Sequence, residues 1–328
     1  MIAKMHQILN YKNMFLGSLL VLFGWFGNIY LEQRGVIGEA SSIPVREDST
    51  EYKYINPFLF LDNAEEDFPE LDPLKNQVSK YIDEAMEKGE AEKTSFYFRD
   101  MNTSKWTGVN EDELYAPASM LKVAIMVVYL KLAKDDPSIL NQKFYYKQED
   151  YPGQFYKSKT FPDGLYSASD LIKQMIVNSD NVIAPLLVKG HSNEILDFYK
   201  HLRLPETAKL GEDFLSAKLY SRIFRVLYNG TYLPRSISEQ ALQLLTYTNF
   251  DKGLRQGVPE DVVIAHKFGE SGLYKDGAWN YHELHDCGIV YLPKKPYFIC
   301  IMTKGSDFKN LEKIIGDISK ITFEYQKE

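Results

Sequence analysis

Residues 115–130 read YAPASMLKVAIMVVYL and place a serine and a lysine three positions apart, at Ser119 and Lys122. On a helix, residues at i and i+3 share a face with Cβ atoms about 5–6 Å apart, so the lysine amine can reach the serine oxygen. The apolar run after Lys122 predicts a buried helix that runs from Ser119 towards Ala133. A serine hydroxyl is a weak nucleophile until a base accepts its proton. The segment therefore makes Ser119 a candidate nucleophile and Lys122 a candidate base.

This spacing does not identify an active site by itself, because common residues produce Ser-x-x-Lys by chance. It recurs at Ser306 and Lys309, where we expect Ser306 only to cap the last helix. The first copy differs in its context, since Tyr115-Ala-Pro-Ala precedes it and a long apolar helix follows. Lys122 can act as a base only if burial or a cationic neighbour lowers its pKa. Read alone, this copy is also compatible with an ordinary helix start.

A second candidate element is the sequence NSDN, which ends at Asn181 and follows an amphipathic helical segment. That segment opens with Ser167 and Asp170, a pattern close to a capping box with Asp in place of Glu. Ser179 could relay a proton to a leaving group, and Asn181 could hydrogen-bond a substrate amide. We expect Asp180 to bind the backbone of its own loop. Read alone, the element is a polar turn.

A third candidate element is the sequence HKFG at 266–269, which we place near the end of a strand. Lys267 would raise the local positive potential, hold Ser179 and attract a carboxylate of the substrate. Gly269 would let a substrate backbone approach the strand edge. The N–H groups of Ser119 and Glu270 would then form an oxyanion hole, the donor pair that stabilises a tetrahedral intermediate. Read alone, a lysine at a strand end is usually only solvated.

Taken in order, these elements resemble the Ser-x-x-Lys, Ser-Asp-Asn and Lys-Thr-Gly signature of class A β-lactamases and related penicillin-binding proteins. The resemblance extends from about Leu71 to the C-terminus, and the 60 positions from Ser119 to Ser179 are close to the family's spacing. It implies a serine hydrolase, acylated by β-lactams or peptidoglycan-type peptides, that needs no cofactor or metal. The implied catalytic residues are Ser119, Lys122, Ser179 and Lys267, and the implied substrate-binding residues are Asn181, Gly269 and Glu270.

The sequence departs from the family's pattern at two points. The third motif reads Lys-Phe-Gly, so the hydroxyl that would bind a substrate carboxylate is missing at Phe268, and Ser271 is a candidate replacement. The Glu-x-x-Leu-Asn loop, whose glutamate activates the water for deacylation, is absent. The acidic residues nearest its expected place are Glu206, Glu212 and Asp213. These departures imply slow deacylation, and they leave open an alternative function as a catalytically weak or inactive penicillin-binding-like module.

The order of predicted elements indicates one α+β domain. A single sheet must combine strands from both ends of the chain, with a helical block inserted between them. We therefore expect an antiparallel sheet flanked by helices, with an inserted all-helical lobe. The predicted elements are a helix at 71–90, strands at 94–99 and 106–109, a helical block at about 130–245, strands at 262–268, 287–292 and 297–303, and a helix at 306–325.

The N-terminal region predicts a membrane segment. Met14–Leu31 contains no charged residue and follows Lys4 and Lys12, and its length is just sufficient for a bilayer, which takes about 20 residues. We favour an uncleaved anchor over a cleaved signal peptide, with the N-terminus in the cytoplasm and the bulk of the chain outside. The expected organisation is a cytoplasmic stub and anchor at 1–34, a linker at 35–70 and the hydrolase domain at 71–328. Cleavage would instead give a secreted protein.

Composition excludes several other classes of protein. The formal net charge of −7, without a cluster of Lys and Arg, argues against nucleic acid as a partner. Two cysteines and scattered histidines argue against a zinc site. Cys287 and Cys300 lie in apolar runs on either side of a Pro-Lys-Lys-Pro turn, so we expect them on neighbouring strands. There we favour two buried thiols over a disulfide bond.

Overall fold

The computed structural model describes residues 52–57, 68–148, 156, 159–205, 212–275 and 278–328. Within them, five strands from both ends of the chain form one antiparallel sheet, and two further strands form a separate ribbon. The strands are β1 (Lys93–Asp100), β2 (Trp106–Val109), β3 (Lys143–Tyr146), β4 (Gly164–Ser167), β5 (Ile264–Lys275), β6 (Ala278–Val290) and β7 (Tyr297–Gly305). The sheet order is β2-β1-β7-β6-β5, which makes β5 an edge strand, and the ribbon pairs β3 with β4.

Both faces of the sheet are buried, because the side chains that its strands direct to each face are mainly apolar. On β7, Phe298 and Cys300 belong to one hydrophobic core, whereas Ile299 and Ile301 belong to a second core behind the sheet. Successive side chains of a strand point to opposite faces, so each strand contributes to both cores. The predicted α+β architecture, an antiparallel sheet covered by helices, is confirmed.

The helices divide between these two cores. They are α1 (Asp72–Glu87), α2 (Lys122–Asp135), α3 (Ala168–Val177), α4 (Ile183–Val188), α5 (Ser192–His201), α6 (Ala217–Tyr228), α7 (Arg235–Leu245) and α8 (Phe308–Lys327). The first and last helices, α1 and α8, pack together on one face of the sheet. The central helix α2 lies in the other core with α3, α6 and α7. Its first two turns are buried on every side, as its apolar run predicts.

The inserted block between β2 and β5 is mostly helical, as predicted, but it also contains the β3–β4 ribbon. Its clearest helix, α3, opens with the predicted capping box, in which Ser167 and Asp170 bind each other's backbone N–H groups. The cap predicted for the last helix is wrong by one residue. Asp307, not Ser306, accepts hydrogen bonds from the N–H groups of Lys309 and Asn310.

Near the candidate site, the predicted start of one helix and the predicted end of one strand also differ from the structure. The helix expected to begin at Ser119 is α2, which begins at Lys122 and is preceded by a 3₁₀ turn over Ala118–Leu121. The strand expected to end at Phe268 continues to Lys275 as β5, so Lys267 lies inside the strand. The backbone pairing of β5 with β6 continues past Phe268, where the apolar pattern of the sequence stops.

The prediction of two buried thiols is wrong, because Cys287 and Cys300 form a disulfide bond. The two residues are directly opposite each other on β6 and β7, with their Cα atoms 4.0 Å apart. Directly opposed residues of an antiparallel pair project to the same face with their Cβ atoms adjacent. That register brings the two sulfur atoms together.

The predicted membrane anchor, Met14–Leu31, lies outside the described residues. So does most of the predicted linker at 35–70. Within the ranges that the structure describes, none of the helices combines the length and apolar character that a membrane span requires.

Candidate active site

Ser119 lies on a tightly held 3₁₀ turn at the entrance to α2. The residue before it, Ala118, has a φ of 48°, a left-handed conformation that non-glycine residues adopt at an energetic cost. Two contacts fix the turn: His285 Nε2 lies 3.1 Å from the carbonyl oxygen of Ala116, and the Tyr220 hydroxyl donates to the carbonyl of Met120. Backbone strain of this kind persists only where surrounding contacts enforce it. The turn leaves Ser119 half-buried.

Lys122 binds three polar groups around Ser119. Its Nζ lies 2.8 Å from Ser119 Oγ, 2.6 Å from Asn181 Oδ1 and 2.8 Å from the carbonyl oxygen of Ser179. A longer contact of 3.3 Å reaches Ser179 Oγ. Only 4% of the Lys122 side chain is exposed. The structure therefore brings together the serine and lysine that the sequence placed at i and i+3.

Burial lowers the pKa of Lys122 to about 7, although the carboxylates of Asp180 and Glu270 act in the opposite direction. Desolvation disfavours the charged form of a lysine, and nearby negative charges favour it. A value near 7 means that a large fraction of Lys122 is neutral at physiological pH. Such an amine can accept a proton from the hydroxyl beside it.

The loop that carries Ser179 and Asn181 is fixed through Asp180. Ser179 itself has a φ of 55°, and Asp180 Oδ1 accepts a hydrogen bond from the N–H of Val182, as predicted for a residue that binds its own loop. The other oxygen, Oδ2, accepts a hydrogen bond of 2.7 Å from the hydroxyl of Tyr146 on β3. Tyr146 is fully buried. The β3–β4 ribbon thus supports the loop, a role for which the sequence offered no signal.

Lys267 reaches the same loop from β5. Its Nζ lies 2.9 Å from Ser179 Oγ and 2.8 Å from the carbonyl oxygen of Phe268, and its side chain is fully buried. Burial lowers the pKa of Lys267 well below its usual value, and the charge of Lys122 lowers that pKa further. Ser179 is therefore shared by two amines.

Gly269 lets β5 lie directly against the turn that carries Ser119. A Cβ atom at this position would be 2.7 Å from the carbonyl oxygen of Pro117, which is closer than real Cβ contacts. Only glycine therefore permits this approach. The next residue on the strand is Glu270, so the packing brings its backbone near the turn.

The side chain of Phe268 belongs to an aromatic cluster, and Lys267 Nζ lies over its ring, 4.1 Å from the centroid. Its ring stacks on Phe250 at a centroid distance of 4.0 Å and meets the edge of Tyr156 at 5.8 Å. The backbone N–H of Tyr156 donates to both carboxylate oxygens of Glu270, each at 3.2 Å. The Tyr156 hydroxyl donates to Glu312 on α8. This contact between Tyr156, Phe268 and Glu270 was not predicted.

A comparison of the sequence with models of protein families identifies the family. A family model described as "Beta-lactamase enzyme family" matches residues 74–326. The chain belongs to the beta-lactamase enzyme family. No curated protein sequence matches the chain significantly.

Solved structures of class A β-lactamases and of PBP-A share the fold of this family member. TLA-3 extended-spectrum β-lactamase has a TM-score of 0.67 and 22% identity, and the alignment covers 78% of this chain and 99% of that one. A class A β-lactamase from Bacteroides cellulosilyticus has a TM-score of 0.65, 18% identity and the same coverage. A PBP-A variant, solved as an acyl-enzyme complex with penicillin G, has a TM-score of 0.65 and 19% identity over 78% of this chain and 97% of that one.

The sequence lacks two groups of the family, the hydroxyl of the third motif and the glutamate that activates water for deacylation. Their candidate replacements have the following surroundings in this β-lactamase-family chain. The hydroxyl of Ser271 donates to the buried carboxyl of Glu283 at 2.9 Å. Glu212 and Asp213 are exposed, and Glu206 lies outside the described residues. In the part of the chain that the structure describes, no group of three or more His, Cys, Asp or Glu side chains could hold a metal ion.

Proposed function

We propose that this protein is a serine hydrolase in which Ser119 is acylated by the amide bond of a β-lactam or a peptidoglycan-type peptide. One observation carries the proposal. The amine of Lys122 lies 2.8 Å from Ser119 Oγ, and its burial lowers the lysine pKa to about 7. A general base works best when its pKa is near the operating pH and it lies within hydrogen-bonding distance of the proton.

In the proposed reaction, neutral Lys122 accepts the proton of Ser119 as Oγ attacks the substrate carbonyl carbon. The N–H groups of Ser119 and Glu270 stabilise the negative charge that develops on the carbonyl oxygen. Collapse of the tetrahedral intermediate breaks the C–N bond. The hydroxyl of Ser179, held by both lysines, donates its proton to the departing nitrogen and takes up the proton that Lys122 accepted from Ser119. Asn181 would hydrogen-bond the substrate amide, and Lys267 would support the site electrostatically.

The substrate class rests on the family and on one of its structural neighbours. The PBP-A structure is described as an acyl-enzyme complex with penicillin G, which is a property of that protein. Its shared fold supports the same class of acyl donor here. Ser119 is half-buried, so part of the residue faces solvent, from which a small molecule could approach it.

We infer that the acyl-enzyme persists, because the sequence lacks the Glu-x-x-Leu-Asn loop whose glutamate would activate the water for deacylation. The two carboxylates that act on Lys122 are each engaged, Asp180 by Tyr146 and Val182, and Glu270 by Tyr156. General-base assistance contributes about 10²–10⁴-fold to such a step. Hydrolysis of the ester should therefore be slow relative to its formation.

Labelling with a fluorophosphonate tests the nucleophile. The reagent should modify Ser119, and Ser119→Ala should abolish the label, because the proposed reaction needs the hydroxyl that lies 2.8 Å from Lys122 Nζ. Ser306→Ala is the matched control, since Ser306 has the same Ser-x-x-Lys spacing. Labelling that survives Ser119→Ala would overturn the assignment.

A second candidate function is a penicillin-binding-like module with weak or no turnover, and Phe268 favours it. The ring replaces the hydroxyl that the family's motif supplies, and it is stacked in an aromatic cluster. Such a module would bind an acyl donor without forming the ester. The absence of any covalent adduct in the wild-type chain would support this alternative.

We further propose that Met14–Leu31 anchors the protein in the cell membrane with the hydrolase domain outside the cytoplasm. The disulfide bond between Cys287 and Cys300 supports this location, because disulfides persist mainly in oxidising compartments. Membrane fractionation tests the proposal. The full chain should sediment with membranes, and recovery of a soluble product that begins near Ala40 would indicate a cleaved signal peptide instead.

A further inference from the structure

Two directly opposed residues of the sheet face the turn that carries Ser119. In the pairing of β5 with β6, Gly269 lies opposite His285, and directly opposed residues of an antiparallel pair project to the same face. Gly269 leaves room for the carbonyl oxygen of Pro117, which would lie 2.7 Å from a Cβ at that position. His285 Nε2 lies 3.1 Å from the carbonyl oxygen of Ala116. The pair therefore contacts two consecutive residues of the turn.

The hydrogen bonds of His285 determine where its ring proton lies. The backbone N–H of Thr303 on β7 donates to Nδ1 at 3.3 Å, so Nδ1 is the acceptor of the ring. A neutral imidazole that accepts at Nδ1 carries its proton at Nε2, and Nε2 therefore donates to the carbonyl of Ala116. Burial lowers the pKa of His285 to about 4, so the ring is neutral at physiological pH.

Further contacts hold the ring of His285 in place. The side chain is fully buried. The ring of Tyr115 packs against it at a centroid distance of 5.2 Å and an angle of 73°, and the Tyr115 hydroxyl lies 3.0 Å from Ser95 Oγ on β1. Glu283, two positions earlier on β6, has a carboxylate oxygen 3.9 Å from Nε2. The imidazole therefore connects the central strand β7 to the turn through a fixed ring.

The turn needs such a contact because its backbone is strained. Ala118 has a φ of 48°, and strain of this kind persists only where the surroundings enforce it. Ala116 lies two residues before Ala118 and three before Ser119. The place of Ser119 matters, since its Oγ lies 2.8 Å from Lys122 Nζ and a displacement of about 1 Å can lower a rate about 10²-fold.

We propose that His285 is a positioning residue for the acylation of Ser119, and that it holds the turn in place by donating from Nε2 to the carbonyl of Ala116. The inference rests on the proposed acylation of Ser119. His285 acts through the backbone of the turn and not on the reacting atoms. With this hydrogen bond intact, Ser119 Oγ stays beside Lys122, and the Ser119 N–H keeps its place relative to the N–H of Glu270 on β5.

Glutamine and asparagine variants separate the two hydrogen bonds of the ring. The amide nitrogen of glutamine lies about where Nε2 lies, so His285→Gln can still donate to Ala116 but loses the acceptor for Thr303. The amide of asparagine lies about where Nδ1 lies, so His285→Asn can accept from Thr303 but does not reach Ala116. Each variant loses one buried hydrogen bond, and the contact with the turn is lost in His285→Asn alone.

The rate of fluorophosphonate labelling at Ser119 is the measurement, with urea unfolding of each variant alongside it. His285→Asn should react at least about tenfold more slowly than the wild type, and His285→Gln should stay close to the wild-type rate. Ser319→Ala is the control for lost stability. It removes a buried hydrogen bond to the carbonyl of Leu254, on the opposite side of the sheet, and should not change the rate.

Two kinetic outcomes would overturn the role of His285. One is a His285→Asn variant that reacts as fast as His285→Gln, and the other is a loss in Ser319→Ala as large as that in His285→Asn. Imidazole ¹⁵N NMR of the wild-type chain adds a test that needs no variant to fold well. The His285 ring should carry one proton, at Nε2, and a proton at Nδ1 would also overturn the inference.

The proposed function is judged separately, on the wild-type chain. If fluorophosphonate labels Ser119 there, the proposed function stands even when the His285 variants contradict the positioning role. If the wild-type chain is not labelled, both are overturned.

Discussion

The side-chain amines of Lys122 and Lys267 converge on one hydroxyl, with their Nζ atoms 3.3 Å and 2.9 Å from Ser179 Oγ. Two fully charged amines so close together in a buried site would repel each other, and burial lowers the pKa of each. Ser119 lies beside the first of them. Ser179 is therefore positioned to move a proton between the base and a leaving group.

The rate of Ser119 acylation should follow the protonation of Lys122. Below pH 7 the lysine is mostly charged and cannot accept a proton, so the rate should rise about tenfold per pH unit and level off above pH 7. Removal of the Glu270 charge in Glu270→Gln lowers the pKa of Lys122 further, which moves the rise to lower pH. Stopped-flow fluorophosphonate labelling across pH measures this profile. An apparent pKa near 10 would contradict the assignment of Lys122 as the base.

Tyr146→Phe should destabilise the fold and slow acylation. The change leaves Asp180 Oδ2 without its buried donor, at a cost of about 1–3 kcal/mol in the free energy of unfolding. Urea denaturation measures the cost. The control is Tyr145→Phe on the same strand, whose side chain is 60% exposed. Equal free energies of unfolding for the two variants would show that the Tyr146 hydroxyl does not stabilise the fold.

Gly269→Ala should slow acylation by about 10²-fold, because the added Cβ would push β5 away from the Ser119 turn. Gly190→Ala is a matched control, since a Cβ at Gly190 meets no atom within 4 Å. The fluorophosphonate labelling rate of each variant provides the measurement. If both variants react like the wild type, acylation of Ser119 does not require the close packing of β5 on the turn that carries it.

Replacement of both Cys287 and Cys300 by alanine should lower the free energy of unfolding. The residues are separated by 13 positions, and a disulfide that closes a loop of about 15 residues contributes on the order of 3 kcal/mol. Urea unfolding of the oxidised chain and the variant gives the difference. Alkylation of both cysteines in the unreduced, denatured chain would show free thiols and contradict the bond.

The fold could be predicted from the sequence because its helices and inner strands carry strong local patterns. The apolar run after Lys122 and the Ser167–Asp170 capping box each depend on neighbours within a few positions. The β3–β4 ribbon was missed because Phe144 and Tyr145 are partly or largely exposed and give no alternating apolar pattern. The continuation of β5 beyond Phe268 was missed because the apolar pattern ends there.

The site could be predicted only as far as its motifs extended. The motifs indicated which residues to consider, and the structure brings Ser119, Lys122, Ser179 and Lys267 together. The support of Asp180 by Tyr146, 34 positions away, and the contact of Glu270 with Tyr156, 114 positions away, depend on tertiary packing. The disulfide depends in the same way on strand register, which cysteine spacing does not determine.

Time-resolved mass spectrometry of the intact protein with excess penicillin G tests the central claim most directly. We predict that a covalent adduct with the mass of the drug accumulates, persists for many times its formation time, and is absent from Ser119→Ala. A chromogenic cephalosporin should then show a burst with little further hydrolysis. Rapid multiple turnover that is lost in Glu206→Gln or Glu212→Gln would contradict slow deacylation and identify a working deacylation base. No adduct on the wild-type chain would contradict the acylation itself.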